Sequence, residues 1–252
     1  YSVKNVIYIH DLKDTANVFD TFAGDNFIRA LAVIEDKDSE YTFLVAGDSK
    51  GNVFHYNLSG DMKNKRRLNA SFEASCFYAI AYDPYRKLLA LGNERGEILL
   101  FSNIDGKSLK SDTRIESHTI YRKHKGIIKA LVFSPGGRYL ASGGLDSTIM
   151  LWDLKQKKIA DIAMQPPILT INSKLKILAI AFSRKGTYMI FNDERYLRIC
   201  PTSPKAFYEK LFLGKKRELR EDEWKTYIGE SIKPEELIIS SWQKEEGNSS
   251  EK

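Results

Sequence analysis

The chain has 252 residues, of which 42% are hydrophobic and 29% are charged, enough for a large core in a single domain. The formal net charge is +6, but basic and acidic residues are interspersed, which favours a solvated surface over a nucleic-acid patch. No apolar run approaches the ~18 residues of a membrane span, and the two cysteines, Cys76 and Cys200, indicate a reducing, cytoplasmic setting rather than a disulfide framework.

Short β-prone runs follow one another along the chain, separated by turns and polar loops. The first two predicted strands are residues 5–12 (NVIYIHDL) and 16–22. Four groups of strands follow, at 28–33, 42–47, 52–58 and 67–72; at 77–82, 88–92, 97–101 and 118–121, with a polar loop over 103–114; at 128–133, 139–143, 148–154 and 158–164; and at 177–182, 188–191, 196–200 and 206–212. Residues 220–228 (REDEWKTYI) then predict a short helix with Trp224, Tyr227 and Ile228 on one face.

One apolar run recurs at a nearly constant spacing. It begins at Ile28, Phe77, Ile128 and Ile177, which lie 49 to 51 residues apart, and it has Ala at its third position each time. A meander of three or four short strands cannot bury both of its faces alone and becomes stable by stacking on copies of itself. The repeat therefore predicts an all-β fold of stacked sheets, in which the small Ala lets neighbouring sheets approach closely.

The stretch 124–154 (HKGIIKALVFSPGGRYLASGGLDSTIMLWDL) ends in Trp152-Asp153 and resembles one blade of a WD-repeat β-propeller. The resemblance implies a partial propeller over residues 1–213, with part of a blade at 1–22 and whole blades at 27–72, 77–121, 124–164 and 173–213. Propellers of this type usually close with seven blades. We therefore expect an open or imperfectly closed ring whose missing blades lie upstream of Tyr1. Residues 214–252 are expected to be a helical extension with a polar tail.

The same resemblance implies a buried hydrogen-bond network of His124, Ser142, Asp146 and Trp152. Asp146 would fix the tautomer of the imidazole, and Ser142 would bridge the imidazole to the indole N–H. The other blades depart from this pattern. Gly24, Glu73 and Ser173 match His124; Lys50, Arg95 and Glu194 match Asp146; Tyr56, Phe101 and Cys200 match Trp152. We expect those blades to rely on apolar packing.

No arrangement in the sequence predicts catalysis or a cofactor. Ser142, His124 and Asp146 suggest a catalytic triad, but a Ser inside a sheet and bonded to an indole reaches no substrate or oxyanion hole. His10, His55, His118 and His124 have no metal-ligand spacing with each other or with the cysteines, and no phosphate loop is present. The chain is therefore expected to be a non-catalytic protein.

The C-terminal segment carries a second resemblance. Residues 219–230 (LREDEWKTYIGE) are similar to the ending of propellers in bacterial signal-transduction ATPases with numerous domains, apart from Arg220, where that family has Thr. In that family an effector domain and a nucleotide-switch domain precede a propeller that senses a ligand. This resemblance implies that the chain is the sensor part of a larger bacterial, cytoplasmic signalling or defence protein.

The expected binding surface is the rim at which the chain enters the first strand of each blade. Arg29, Tyr78, Lys129 and Leu178 share the second position of that strand, a frequent contact position in the family. We expect the first three to form a contiguous arc and to bind a protein or peptide. Two alternatives remain: a propeller enzyme with a hydrolase site in its central channel, and a basic propeller that binds nucleic acid.

Overall fold

The computed structural model of the chain describes residues 2–3, 5–11, 14–23, 25–35, 41–59, 65–68, 75–111, 117–120, 122–155 and 166–202. These residues form five antiparallel sheets. Sheet 1 contains β1 (Ser2–Val3), β2 (Val6–Asp11) and β3 (Asp14–Ala23). Sheet 2 contains β4 (Ile28–Glu35), β5 (Thr42–Asp48), β6 (Val53–Asn57) and β7 (Lys65–Arg67).

The remaining three sheets repeat the same plan. Sheet 3 contains β8 (Phe77–Asp83), β9 (Leu88–Asn93), β10 (Ile98–Phe101) and β11 (Ser117–Ile120), with helix α1 (Gly106–Ser111) between the last two. Sheet 4 contains β12 (Ile128–Phe133), β13 (Tyr139–Gly144), β14 (Thr148–Asp153) and β15 (Leu169–Asn172). Sheet 5 contains β16 (Ile177–Phe182), β17 (Tyr188–Asp193) and β18 (Leu197–Pro201). Each strand pairs with the next one along the chain, which is the pattern of a propeller blade.

Successive sheets pack face to face through four hydrophobic clusters. The clusters join sheet 1 to sheet 2, sheet 2 to sheet 3, sheet 3 to sheet 4, and sheet 4 to sheet 5. Within the described residues, no core cluster joins sheet 5 to sheet 1. The described sheets therefore pack one on the next in chain order.

Two glycines set how closely the sheets approach. A Cβ atom on Gly92 of β9 would lie 2.6 Å from Cγ2 of Ile128, the first residue of β12 in the next sheet. Gly143 of β13 has the same relation to Ile177 of β16, again at 2.6 Å. Real Cβ atoms do not approach other carbons this closely, so only glycine allows these sheets to meet. The contact places the first strand of each sheet directly against its neighbour.

Sheet 5 carries an exposed apolar face. Leu197 and Ile199 are 71% and 56% exposed, whereas their counterparts in sheet 4, Ile149 and Leu151, are fully buried against sheet 5. The difference arises because, among the described sheets, sheet 5 is the last and has no further sheet packed on it.

The inner strands lie where the repeat predicts them, but the outer strands differ. The strand that pairs with β14 is β15 (Leu169–Asn172), whereas it was expected at 158–164, which lies outside the described residues. Pro166 and Pro167 thus precede the outer strand of sheet 4 and do not end that sheet. Proline tolerates this place because its missing N–H falls before the ladder begins. In sheet 2 the outer strand is β7 (Lys65–Arg67), shifted towards the N-terminus from the predicted 67–72.

The loop predicted over 103–114 contains helix α1 instead. Asp105 caps it, because Asp105 Oδ1 accepts a hydrogen bond from the Ser108 N–H while Ser108 Oγ accepts one from the Asp105 N–H. Ile104 and Leu109 are buried in the cluster between sheets 2 and 3. The polar composition of the segment conceals these two apolar anchors. The C-terminal helix predicted over 220–228 and the strand predicted over 206–212 lie outside the described residues.

Candidate partner-binding site

A hydrogen-bond network lies beneath one end of sheet 4. His124 Nδ1 lies 3.0 Å from Asp146 Oδ2, and His124 Nε2 lies 2.8 Å from Ser142 Oγ. The Trp152 indole N–H donates to the same Ser142 Oγ over 3.1 Å. The imidazole is therefore fixed at both of its nitrogens, and it joins the segment before β12 to β13 and β14.

Asp146 also organises the turn between β13 and β14. Its carboxylate accepts hydrogen bonds from the backbone N–H of Lys125 at 2.8 Å and of Thr148 at 3.1 Å. The Thr148 hydroxyl lies 2.9 Å from both Asp146 Oδ1 and His124 Nδ1. Burial alone would raise the pKa of the Asp146 carboxyl, but the hydrogen bonds from these groups and the charge of His124 outweigh burial and lower the pKa to about 2.

The corresponding turns of the other sheets also have polar networks, which corrects the expectation that they rely on apolar packing. The residue paired with the first residue of the inner strand is Gly144 in sheet 4. In sheets 2, 3 and 5 the same pairing position holds a buried Asp48, Asn93 and Asp193. Each of these side chains accepts hydrogen bonds from the backbone N–H groups of the turn that follows it.

Asp48 is the example of this arrangement in sheet 2. Its Oδ1 accepts from the N–H of Lys50 at 2.9 Å and of Asn52 at 2.8 Å, and its Oδ2 accepts from the Asn26 and Asn52 side-chain amides. Burial would raise the pKa of Asp48, but these hydrogen bonds outweigh it and lower the pKa. The carboxylate thus binds together the segment before β4 and the turn after β5.

Asn93 and Asp193 act in the same way. Asn93 Oδ1 accepts from the N–H of Arg95 and Glu97, and the Asn93 amide donates to Glu97 Oε2. Asp193 Oδ1 accepts from two turn N–H groups, and its Oδ2 accepts from the Ser173 hydroxyl and the Arg198 guanidinium. The hydrogen bond from Arg198 lowers the pKa of Asp193 to about 2.

This chemistry is structural. Ser142 is completely buried and its Oγ already contacts an indole and an imidazole, so a substrate cannot reach it. In the described part of the chain, no group of three His, Cys, Asp or Glu side chains could hold a metal ion. The same part contains no helix long and apolar enough to span a membrane.

The rim above these networks is shaped by a β-bulge in each inner strand. The register between the first and second strands shifts between Ile28 and Ala30, and the same shift recurs in sheets 3, 4 and 5. The residue skipped by the shift is the second residue of the inner strand. It is Arg29, Tyr78, Lys129 and Leu178 in the four sheets. A bulge leaves its residue unpaired and redirects its side chain.

The structure brings three of these side chains together. The Arg29 guanidinium carbon lies 5.9 Å from the centre of the Tyr78 ring, and Lys129 Nζ lies 4.6 Å from the same centre. Both distances are within the ~6 Å over which a cation is attracted to an aromatic face. Arg29, Tyr78 and Lys129 therefore form a contiguous arc across sheets 2, 3 and 4, although they are about 50 residues apart in sequence.

Neighbouring side chains add apolar surface and restrain the phenol. Phe27 is 52% exposed and its ring lies 5.7 Å from the Arg29 guanidinium carbon. Leu178 is 43% exposed at the bulge of sheet 5. A hydrogen bond with the Cys76 thiol raises the pKa of Tyr78, and burial adds to this effect, so that Tyr78 presents a neutral ring between two cations.

Comparison with known proteins agrees with this architecture. Residues 115–153 match the family model described as WD domain, G-beta repeat. A chain in the crystal structure of the mitotic checkpoint complex superposes with a TM-score of 0.60 at 17% identity, covering 79% of this chain and 55% of that chain. The chain thus contains a WD repeat over residues 115–153, within a series of sheets that has the fold of a β-propeller.

Its relatives are similar to it over short stretches. The transcription factor unc-37 of Caenorhabditis elegans is 28% identical over 134 residues, which cover 53% of this chain and 19% of that protein. The small ribosomal subunit protein RACK1 of Neurospora crassa is 40% identical over 60 residues, which cover 24% of this chain and 16% of that protein. The APC/C activator protein CDC20 of Saccharomyces cerevisiae is 34% identical over 70 residues, which cover 27% of this chain and 10% of that protein. The matched stretches thus span less than a fifth of the length of each of these three relatives.

Sequence reasoning missed several polar residues of these sheets. Thr148 joins the network of sheet 4, and Asp48, Asn93 and Asp193 replace that network elsewhere. A signal for the last three was available. The stretches GDSKGN, GNERGE and NDERY each place an Asp or Asn at the end of a predicted strand, directly before a turn.

Proposed function

We propose that this chain is a non-catalytic protein-interaction and sensor module that binds a protein or peptide on the rim formed by Arg29, Tyr78, Lys129 and Leu178. One observation carries the proposal. Three side chains from three different sheets meet on one accessible surface because the same bulge recurs in each inner strand. Tyrosine and arginine are both enriched among the residues that dominate binding energy in protein interfaces.

The names of the relatives support an interaction role. One is a ribosomal subunit protein and another is an activator of the APC/C, and the structural neighbour comes from a checkpoint complex. Each name describes a protein that works within an assembly. The burial of Ser142 and His124 supports a non-catalytic role for this chain, because the most reactive combination of side chains is closed to a substrate.

The wider setting is part of the proposal. We assign the chain to the C-terminal sensor propeller of a larger bacterial signalling or defence protein with upstream domains of its own. The support is the motif at 219–230, which lies outside the described residues, whereas the relatives named above are eukaryotic. Cys76 and Cys200 are buried thiols rather than halves of a disulfide, which supports a reducing, cytoplasmic setting.

A peptide-display selection on the purified chain tests the binding proposal. Selected peptides should bind the wild-type chain, and Tyr78→Ala and Arg29→Ala should each weaken binding at least roughly fivefold, or about 1 kcal/mol, with little change in the thermal midpoint. Tyr85→Ala is the matched control, because Tyr85 is 64% exposed in the same sheet but lies in the turn at the other end of β8. Peptides whose affinity is unchanged by Tyr78→Ala and Arg29→Ala would place the binding surface elsewhere and overturn the proposal.

A further inference from the structure

We infer that the rim around Tyr78 recognises the carboxylate side chains of an acidic peptide segment. This inference rests on the proposed function and specifies the chemistry of its partner. It starts from the charge of the bulged residues. Two of the three side chains in contact are cations, and they reach one tyrosine from the sheets on either side of it.

Among the described residues, neither cation has a carboxylate partner. In the residues that the structure describes, the ion pairs involve Lys87, Arg122, His124, Arg138, Lys176 and Arg198, and none of them includes Arg29 or Lys129. The tyrosine ring attracts both cations without cancelling their charge. An anion bound between them would gain two charge-assisted contacts, because both donors are already held in place.

The other exposed charged side chains of the rim are also mainly positive. The turns after the second strands and the segments before the first strands lie at this end of the sheets, and they expose Lys50, Arg95, Lys125, Lys174 and Arg195. The carboxylates at this end are mostly engaged. Asp48 and Asp193 are buried in their networks, Asp146 accepts the hydrogen bonds described above, Glu94 Oε1 accepts from the Cys76 N–H, and Glu194 pairs with Lys176, whereas Asp25 is exposed. The accessible charge is therefore mainly positive.

The shape of the patch favours a peptide over a nucleic acid. Phe27 exposes apolar surface beside Arg29, and Leu178 exposes it at the equivalent bulge of sheet 5. A peptide in which Asp or Glu alternates with apolar side chains offers a partner for each kind of surface. A phosphate backbone would use the cations but would leave Leu178 without a partner.

The test uses a labelled peptide in which Glu alternates with Leu and Ser, and its affinity is measured by fluorescence anisotropy. Arg29→Gln and Lys129→Gln should each weaken binding roughly fivefold, and Arg29→Lys and Lys129→Arg should retain most of the affinity. Arg138→Gln is the matched control, because Arg138 also stacks on a tyrosine, at 4.9 Å from the Tyr139 ring, but lies in the turn at the opposite end of β12. The affinity for the Glu peptide should also fall as salt is added.

Two further probes can overturn the inference. A peptide with Gln in place of every Glu should bind at least roughly tenfold more weakly than the Glu peptide, and equal affinity would exclude carboxylate recognition. A single-stranded oligonucleotide that binds more tightly than the Glu peptide, and loses affinity in Arg29→Gln, would assign the rim to nucleic acid. If the display-selected peptides depend on Tyr78 but are not acidic, this inference fails while the proposed function stands.

Discussion

A Cβ atom on Gly144 would lie 3.5 Å from Nδ1 of His124 and 2.7 Å from the backbone carbonyl oxygen of Ile127. The His124 ring therefore lies next to the space that an Asp or Asn side chain occupies at the same pairing position in sheets 2, 3 and 5. Each of these four turns has one arrangement or the other. The blades thus use two alternative networks for the same turn: a His and Asp pair with glycine, or a single Asp or Asn without the histidine.

The first prediction concerns the network of sheet 4. Asp146→Ala should lower the free energy of unfolding by about 1–3 kcal/mol, because it leaves the buried His124 and two backbone N–H groups without their acceptor. Lys50→Ala, at the matching position of sheet 2, should change it by less than about 0.5 kcal/mol because Lys50 is exposed. Urea titration of both variants makes the comparison, and equal losses would show that Asp146 is not the organising group.

The second prediction concerns the alternative network. Asp48→Ala should also lower the free energy of unfolding by about 1–3 kcal/mol, because the N–H groups of the turn lose their acceptor. Ser49→Ala, one residue further along, is the control and should stay within about 0.5 kcal/mol of the wild type. A loss for Asp48→Ala no larger than that for Ser49→Ala would mean that sheet 2 is held by apolar packing alone.

The third prediction concerns pH. The pKa of Asp146 is lowered from its ordinary 3.8 to about 2 in the folded chain. A carboxyl whose pKa is lower in the folded chain than in the unfolded chain stabilises the fold at any pH above the unfolded pKa. This stabilisation is lost as the pH falls from about 4 towards 2. In that range Asp146→Asn should lose less stability than the wild type. Asp48 and Asp193, whose pKa values are also lowered, keep part of the acid sensitivity in that variant. Identical acid dependence of the two chains, measured by urea titration at each pH, would contradict the assignment.

Several of these features could be predicted from the sequence, and the reasons differ between elements. The inner strands β12 and β16 begin and end where the repeat places them, because a buried run with Ala at its third position is a strong signal. The outer strand β15 could not be located, because edge strands are short, are buried on fewer sides and follow loops of variable length. Helix α1 was missed because only Ile104 and Leu109 reveal its buried side.

The candidate site shows the same division. The equivalence of Arg29, Tyr78 and Lys129 follows from the repeat, and the structure places the three side chains in contact. The bulge that redirects these side chains arises from the backbone pairing, and no residue type in these strands predicts it. The role of Asp48 does not follow from alignment with sheet 4, because Lys50 aligns with Asp146 and the acceptor in sheet 2 lies two residues earlier.

The fourth prediction concerns catalysis. The purified chain should show no esterase activity that depends on Ser142, because its Oγ is buried and already contacts the indole and the imidazole. Ser142→Ala should reduce stability without changing any background hydrolysis of a panel of activated esters. A hydrolytic rate that disappears in Ser142→Ala while the circular dichroism spectrum and thermal midpoint remain native-like would show that the chain is an enzyme.

The most direct test of the binding account is amide hydrogen exchange on the chain with and without a display-selected peptide. The second residue of each inner strand is skipped in the sheet pairing, so its surroundings should exchange readily in the free chain and slow down when covered. Binding should slow exchange around Arg29, Tyr78 and Lys129 together, while the turns at 84–87 and 134–138, at the opposite end of the same sheets, remain unchanged. Protection confined to those opposite turns, or absent from all three bulges, would contradict this expectation.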